Sequence, residues 1–250
     1  MQLSQLVGYL DEYLRVREVP DSSEALNGLQ VGGRGEVTRV AAAVDLCEAT
    51  VRLAAEQGAD FLIVHHGLFW GGLRPLTGPQ LRRVGGLVSH DIALYSAHLP
   101  LDLHREVGNN SLLARALGVA IKGEFGETHG VAIGVWGELA LSRAELGQRL
   151  ARVLGTPPKV LPFGPETIQR VGIVSGAAGG MIGQAAAAGL DTFITGEGTH
   201  HCYFEAEELG RNVFLGGHYA TETMGVKALA EHVQAQFGLP WVFLDHPTGL

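Results

Sequence analysis

The sequence predicts an α/β fold built from two similar βαβ-based halves. Short apolar runs alternate along the chain with stretches of helical spacing, the mark of a mostly parallel sheet covered by helices. Composition agrees: 36 glycines and only 7% aromatic residues in 250 suit tight turns between such elements. The chain also repeats itself at a shift of 131 residues, where Arg39-Val40 meets Arg170-Val171, Ala54-Ala55 meets Ala185-Ala186, and Gly58, Asp60 and Ile63 meet Gly189, Asp191 and Ile194. The identities are few and include Ala and Gly, so a shared βαβ grammar competes with duplication as their source. Duplication is the reading adopted, with a first half over 1–122, a second over 123–250 and the break near Ile121–Gly126. The C-terminal helix and strand are free to pack back on the first half.

The elements follow in order. Met1–Leu14 reads as an amphipathic helix; it carries Asp11 and Glu12 and lacks the basic start of a signal peptide. Val40–Val44 is a strand, and Glu48–Gln57 a helix on the spacing of Val51, Ala54 and Ala55, stopped by Gly58. Phe61–Val64 is a short buried strand, and the Gly- and Pro-rich Gly67–Pro79 a loop. Leu81–Val88 is a helix, Ile92–Tyr95 a strand, and Asn110–Leu117 a helix closed by Gly118. Val131–Val135 opens the second set of elements. Ser142 caps a helix through Leu154, with Glu145 at the capping-box position. Val213–Leu215 is a further strand, ahead of a helix beginning near Glu222.

Composition narrows the function classes. A formal net charge of -8 weighs against nucleic-acid binding over the whole surface, which leaves a local basic patch open and nucleic acid as a less favoured partner. Cys47 and Cys202 have no spacing that marks a disulfide scaffold or a cysteine zinc site. No apolar run reaches the roughly 18 residues a membrane span needs, and the expected location is the cytoplasm.

Chemistry concentrates at strand ends, where open α/β sheets hold their ligands. His98-Leu99-Pro100-Leu101-Asp102 and His218-Tyr219-Ala220-Thr221-Glu222 each place a carboxylate four residues after a histidine, and His65-His66 follows the run Phe61–Val64. Imidazole and carboxylate are common ligands of divalent metals. Any one histidine after a strand is more often a polar core residue than a ligand; several at equivalent strand ends favour a metal site. Adjacent residues of a regular strand face opposite ways, so His65 and His66 serve one site only if the chain turns there or if each takes its own metal. Gly67 makes the turn easy.

Other signals are weaker. Gly176–Gly183 matches no phosphate-binding fingerprint and reads as a tight βα turn rather than a phosphate cradle. Arg74, Arg82 and Arg83 read as a solvated helix face. Ser175 lies on the Gly-rich turn with no partner placed for it, and the adjacent His201 and Cys202 are poorly disposed to form a thiolate pair.

At these residues the sequence resembles the NIF-three-like family, whose members are often called GTP cyclohydrolase I type 2 homologues. The markers run along nearly the whole chain: Asn27-Gly28-Leu29-Gln30-Val31-Gly32, Gly58-Ala59-Asp60, His65-His66-Gly67-Leu68-Phe69-Trp70, Ser96-Ala97-His98-Leu99-Pro100-Leu101-Asp102, Ile194-Thr195-Gly196-Glu197 with His200-His201, and Gly217-His218-Tyr219-Ala220-Thr221-Glu222. The family typically has Pro where this chain has Gly67, and often Thr where it has Leu99; neither change removes a candidate ligand. The resemblance implies two α/β domains facing each other across a dinuclear metal site, with His65, His66, Asp102, His218 and Glu222 as ligands. It also implies a ring-shaped homohexamer. Zinc, iron and manganese all suit such a mixed nitrogen and oxygen set.

Two functions follow. In the first, the protein is a metal-dependent hydrolase acting on a C–N bond of a nucleotide-like substrate. Asp102 and Glu222 are then the bridging candidates, because a carboxylate spans two ions and an imidazole does not. His98, Glu197 and His201 are left to orient ligands or carry protons, so that His98 is dispensable for metal binding yet matters for chemistry. In the second, the metals stabilise an oligomeric ring that acts as a binding or regulatory scaffold or as a metallochaperone.

Overall fold

The computed structural model describes all residues Met1–Leu250. The chain divides into two compact units, Met1–Leu101 with Gly225–His246, and Asp102–Met224 with Pro247–Leu250. The residues Ile121–Gly126 lie inside the strand Ala120–Thr128, which pairs antiparallel with Val131–Ser142. A paired hairpin strand cannot serve as a linker, and the chain passes from the first unit to the second at Leu101-Asp102 instead. Asp102 therefore belongs to the second unit.

The first unit carries a five-stranded sheet in the order Gly28–Val31, Ala93–Ser96, Phe61–His66, Val40–Asp45 and Trp241–Phe243. Gly28–Val31 is antiparallel to its neighbour and the other pairs are parallel. Val40–Val44 and Phe61–His66 are buried residue by residue, as expected of parallel strands covered on both faces. The helices Glu48–Glu56 and Gly78–Ser89 contribute Val51, Ala54 and Leu87 to a core with Leu62, Val64, Ile92 and Leu94. The strand Phe61–His66 runs two residues further than its apolar run, because Asp45 and His66 continue the pairing with Val40–Asp45.

The second unit carries a six-stranded mixed sheet in the order Ala120–Thr128, Val131–Ser142, Thr167–Ile173, Thr192–Thr195, Asn212–Leu215 and Lys159–Pro162. Its parallel part is Thr167–Ile173, Thr192–Thr195 and Asn212–Leu215. The helix Arg143–Leu154 is capped by Ser142, whose hydroxyl accepts the Glu145 N–H at 3.1 Å, and it buries Leu146 and Leu150 against Ile168, Val171 and Phe214. The helix Asn109–Leu117 ends at Gly118 in the left-handed conformation, φ +79°.

Positions related by the sequence repeat make the same bonds in each unit. Asp60 accepts the backbone N–H groups of Thr38 and Arg39, and Asp191 accepts those of Gln169 and Arg170. Gly58 and Gly189 both turn the chain at positive φ, +64° and +69°. No helix is long and apolar enough to cross a membrane.

Candidate metal centre

In the first unit three parallel strands deliver their polar residues at their carboxyl ends. Asp45 and His66 end their strands as register partners, His65 precedes His66, and His98 follows Ala93–Ser96 by two positions. The strand ending lets His65 and His66 converge despite their adjacency: the rings are 4.8 Å apart, and His98 lies 5.0 Å from the first and 5.7 Å from the second. The nearest ligand atoms of the three imidazoles all lie within 4.8 Å of one another. His65 and His66 are buried. Trp70 packs on His66 and His98 at 4.6 and 4.5 Å and is 41% exposed, so it walls the cluster on its outer side.

Each of these rings is tied back by one nitrogen. His65 Nδ1 donates to the Ala97 carbonyl at 2.8 Å, His66 Nδ1 to Asp45 Oδ1 at 2.8 Å, and His98 Nδ1 to Asp21 Oδ1 at 2.9 Å. Carbonyl and carboxylate oxygens only accept, so in His65 and His66 Nδ1 carries the proton and, in the neutral ring, the lone pair falls to Nε2. This is the outer support that metal-binding histidines characteristically show.

The turn after the histidines is held by Gln30. Its Oε1 accepts the Leu68 N–H at 2.7 Å, and its Nε2 donates to the Ala25 and Leu26 carbonyls. The Gln30 amide lies so close to Gly67 that a Cβ there would collide with it, which gives a reason for glycine at this position.

In the second unit Glu197 follows the strand Thr192–Thr195, and His218 opens the helix His218–Phe237 behind Asn212–Leu215. The Gly-rich turn is tight. Gly176 sits at φ +65°, its carbonyl accepts the Gly196 and Glu197 N–H groups, and its N–H meets the Thr221 hydroxyl. A Cβ at Gly176 would strike the Glu222 carboxylate. His218 is gripped on both sides: Nδ1 is 2.8 Å from Glu197 Oε1, and Nε2 is 3.1 Å from Glu222 Oε2. Burial pulls the His218 imidazolium down, but the Glu222 and Glu197 carboxylates outweigh it and push the group up to about 9. Glu222 itself is buried. The pair therefore holds positive charge between carboxylates, a place suited to a cation.

Asp102, at the end of the short helix Leu99–Asp102, is also buried. It accepts from Asn109 Nδ2 at 2.8 Å and from the Ser175 hydroxyl at 3.3 Å. Ser175 thus has its partner: a carboxylate support, with its own N–H on Asn110 Oδ1. His201 precedes the helix Cys202–Leu209, is exposed and packs edge-on to His200.

Sequence reasoning missed Asp21, Asp45, Asn109 and Asn110, and held Asn27 and Gln30 only as family markers. The string Asn27–Gln30 marks only the last two; Asp21, Asp45, Asn109 and Asn110 stand at no spacing that marks them.

The model of the family Duf34/NIF3 (NGG1p interacting factor 3) matches residues 1–248. The chain belongs to the Duf34/NIF3 family. Among curated proteins it is similar to the GTP cyclohydrolase 1 type 2 homolog of Deinococcus radiodurans, 47% identical over 98% of this chain and 94% of that one. The homolog of the same name from Archaeoglobus fulgidus is 45% identical over the whole of both chains. Among solved structures, the Thermus thermophilus protein TTHA1606 matches with a TM-score of 0.92 at 46% identity, over all of both chains. The α/β architecture with two sheets is that of the Duf34/NIF3 relatives.

Proposed function

We propose that this Duf34/NIF3 protein is a metal-dependent hydrolase that holds two divalent ions with His65, His66, Asp102, His218 and Glu222, and acts on a C–N bond of a nucleotide-like substrate. The observation that carries the proposal is the tied-back imidazole. His65, His66 and His218 each have Nδ1 fixed by an oxygen acceptor, so that each presents Nε2 as donor. Imidazole nitrogen with buried carboxylate oxygen is a donor set that suits zinc, iron or manganese.

When bound, such ions supply an activated water and stabilise developing negative charge. Asp102 and Glu222 are carboxylates that would be able to hold more than one ion, while each of the three imidazoles would offer one nitrogen. Asn109 and Ser175 hold the Asp102 carboxylate, and Glu197 fixes the plane of the His218 ring. His98 serves as a proton acceptor beside the ligands, and His201 as an outlying proton carrier. The names of the Deinococcus and Archaeoglobus relatives support a nucleotide-like substrate.

The working form in this reading is a homohexameric ring in the cytoplasm. The matching bonds of Asp60 and Asp191 support a duplication behind the two units.

The test is a panel of nucleotides and nucleobase-like amides, assayed with chelated protein and with protein reloaded with zinc, manganese or iron(II). Hydrolysis that appears only on reloading is the expected result. A turnover indifferent to metal would overturn the reading.

A further inference from the structure

His98 stands apart from the five proposed ligands, and what surrounds it is more elaborate than a lone polar residue needs. Asp21 lies on the segment before the first strand, 77 positions away in sequence. Its side chain is 5% exposed. Four donors converge on its two oxygens. Oδ1 accepts the Ser22 N–H at 2.7 Å and His98 Nδ1 at 2.9 Å. Oδ2 accepts Asn27 Nδ2 at 2.8 Å and the Leu99 N–H at 3.0 Å, and lies 3.0 Å from the same His98 Nδ1. Asn27 completes the brace, since its Oδ1 accepts the His98 backbone N–H at 2.7 Å. The backbone of His98, the residue after it and the ring itself are thus all referred to one buried carboxylate and its amide partner.

We propose that Asp21, braced by Asn27, is a positioning residue that locks His98 in the Nδ1–H tautomer and turns its Nε2 lone pair toward the His65 and His66 imidazoles. A carboxylate cannot donate, so it selects the ring nitrogen that carries the proton. Nε2 is left as an acceptor in a cluster whose three ligand atoms lie within 4.8 Å of one another. A group in that state can take a proton from a water or substrate at the site, which is the role assigned to His98 above; this consequence rests on the metal-hydrolase reading, whereas the tautomer does not. The lock also gives a physical task to Asn27 in the string Asn27–Gln30, to which the ligand set assigns none.

Asp21→Ala tests the lock. Both Asp21 oxygens lie within 3.0 Å of His98 Nδ1, so an oxygen left at either place could still accept from the ring. Asp21→Ala removes both, and with them the acceptor that selects Nδ1–H, and the ring is then free to carry its proton on Nε2.

The measurement is 15N NMR of histidine-labelled full-length chain, zinc-loaded and at about pH 8, where an ordinary imidazole is neutral. His98→Ala assigns the resonances. The expected result is a wild-type His98 protonated at Nδ1 with an unprotonated Nε2, and in Asp21→Ala the loss of that single pattern, with the proton appearing on Nε2. A wild-type His98 protonated at Nε2, or an Asp21→Ala chain that keeps the wild-type pattern in full, would overturn the proposal. If the variant does not fold, the wild-type tautomer decides alone. Absence of any hydrolytic activity would sink the metal-hydrolase reading and leave the tautomer result standing.

Discussion

Glu197 Oε1 lies 2.8 Å from His218 Nδ1, while Glu222 Oε2 lies 3.1 Å from the Nε2 of the same ring. One imidazole therefore bridges two carboxylates, one reached from the loop after Thr192–Thr195 and one from the next turn of its own helix. The two accepting carboxylates favour a proton on each ring nitrogen. In the proposed metal-loaded form, Nε2 and Glu222 would serve as ligands and the Nε2 proton would leave.

The first prediction concerns pH. His218 titrates near 6.5 when unfolded and is pushed up to about 9 in the fold. A raised imidazolium stabilises the folded state fully below about 6.5, and this contribution is lost as the pH climbs through about 9. Chelated protein should therefore lose thermal stability across that window, by about 2–4 °C for each kcal/mol withdrawn. Glu222→Gln should flatten the loss. Scanning calorimetry at stepped pH checks it, and a melting temperature unchanged between those values would count against the His218 geometry.

The second prediction concerns Asp45, which accepts from His66 Nδ1 at 2.8 Å. Outer carboxylates of this kind typically cost 10–100-fold in metal affinity when lost, as an order of magnitude. Asp45→Asn should weaken zinc binding by about that factor in competition with a chromophoric chelator. The variant should keep its circular dichroism spectrum, since Asp45 closes a strand whose hydrophobic residues remain. Wild-type affinity would show that Asp45 merely solvates the strand end.

Gly176 supplies a third. Its φ of +65° and the collision of a Cβ with the Glu222 carboxylate act together. Gly176→Ala should cost on the order of 1–3 kcal/mol from the backbone conformation alone, and should displace Glu222 enough to lower bound metal. Denaturant titration and elemental analysis report the two effects separately. A stable variant with full metal content would mean that the turn yields without moving Glu222.

Much of this was legible in the sequence because it depends on local pattern. The apolar runs ending in His65-His66 and in Ser96-Ala97-His98 place those residues at strand ends, and parallel strands bring their carboxyl ends to one edge of a sheet. Ser142 and Glu145 announce their helix start, as Gly118 announces a helix end. Two things escaped that kind of reading. The strand Ala120–Thr128 is poor in apolar alternation, with Lys122, Glu124 and Glu127 among nine residues, so a hairpin looked like a linker. The braces Asp21 and Asp45 act on His98 and His66 across 77 and 21 positions. A carboxylate that meets its imidazole only after folding leaves no spacing to read.

The most direct measurement of the central claim is metal content and hydrolytic turnover of Glu222→Ala, set beside wild type. The buried carboxylate sits at the helix start, and the core of its unit is built from other residues, among them Leu146, Val171 and Phe214. The account predicts a folded variant that has lost stoichiometric divalent metal and with it any metal-dependent hydrolysis. A folded Glu222→Ala protein with wild-type turnover would contradict it.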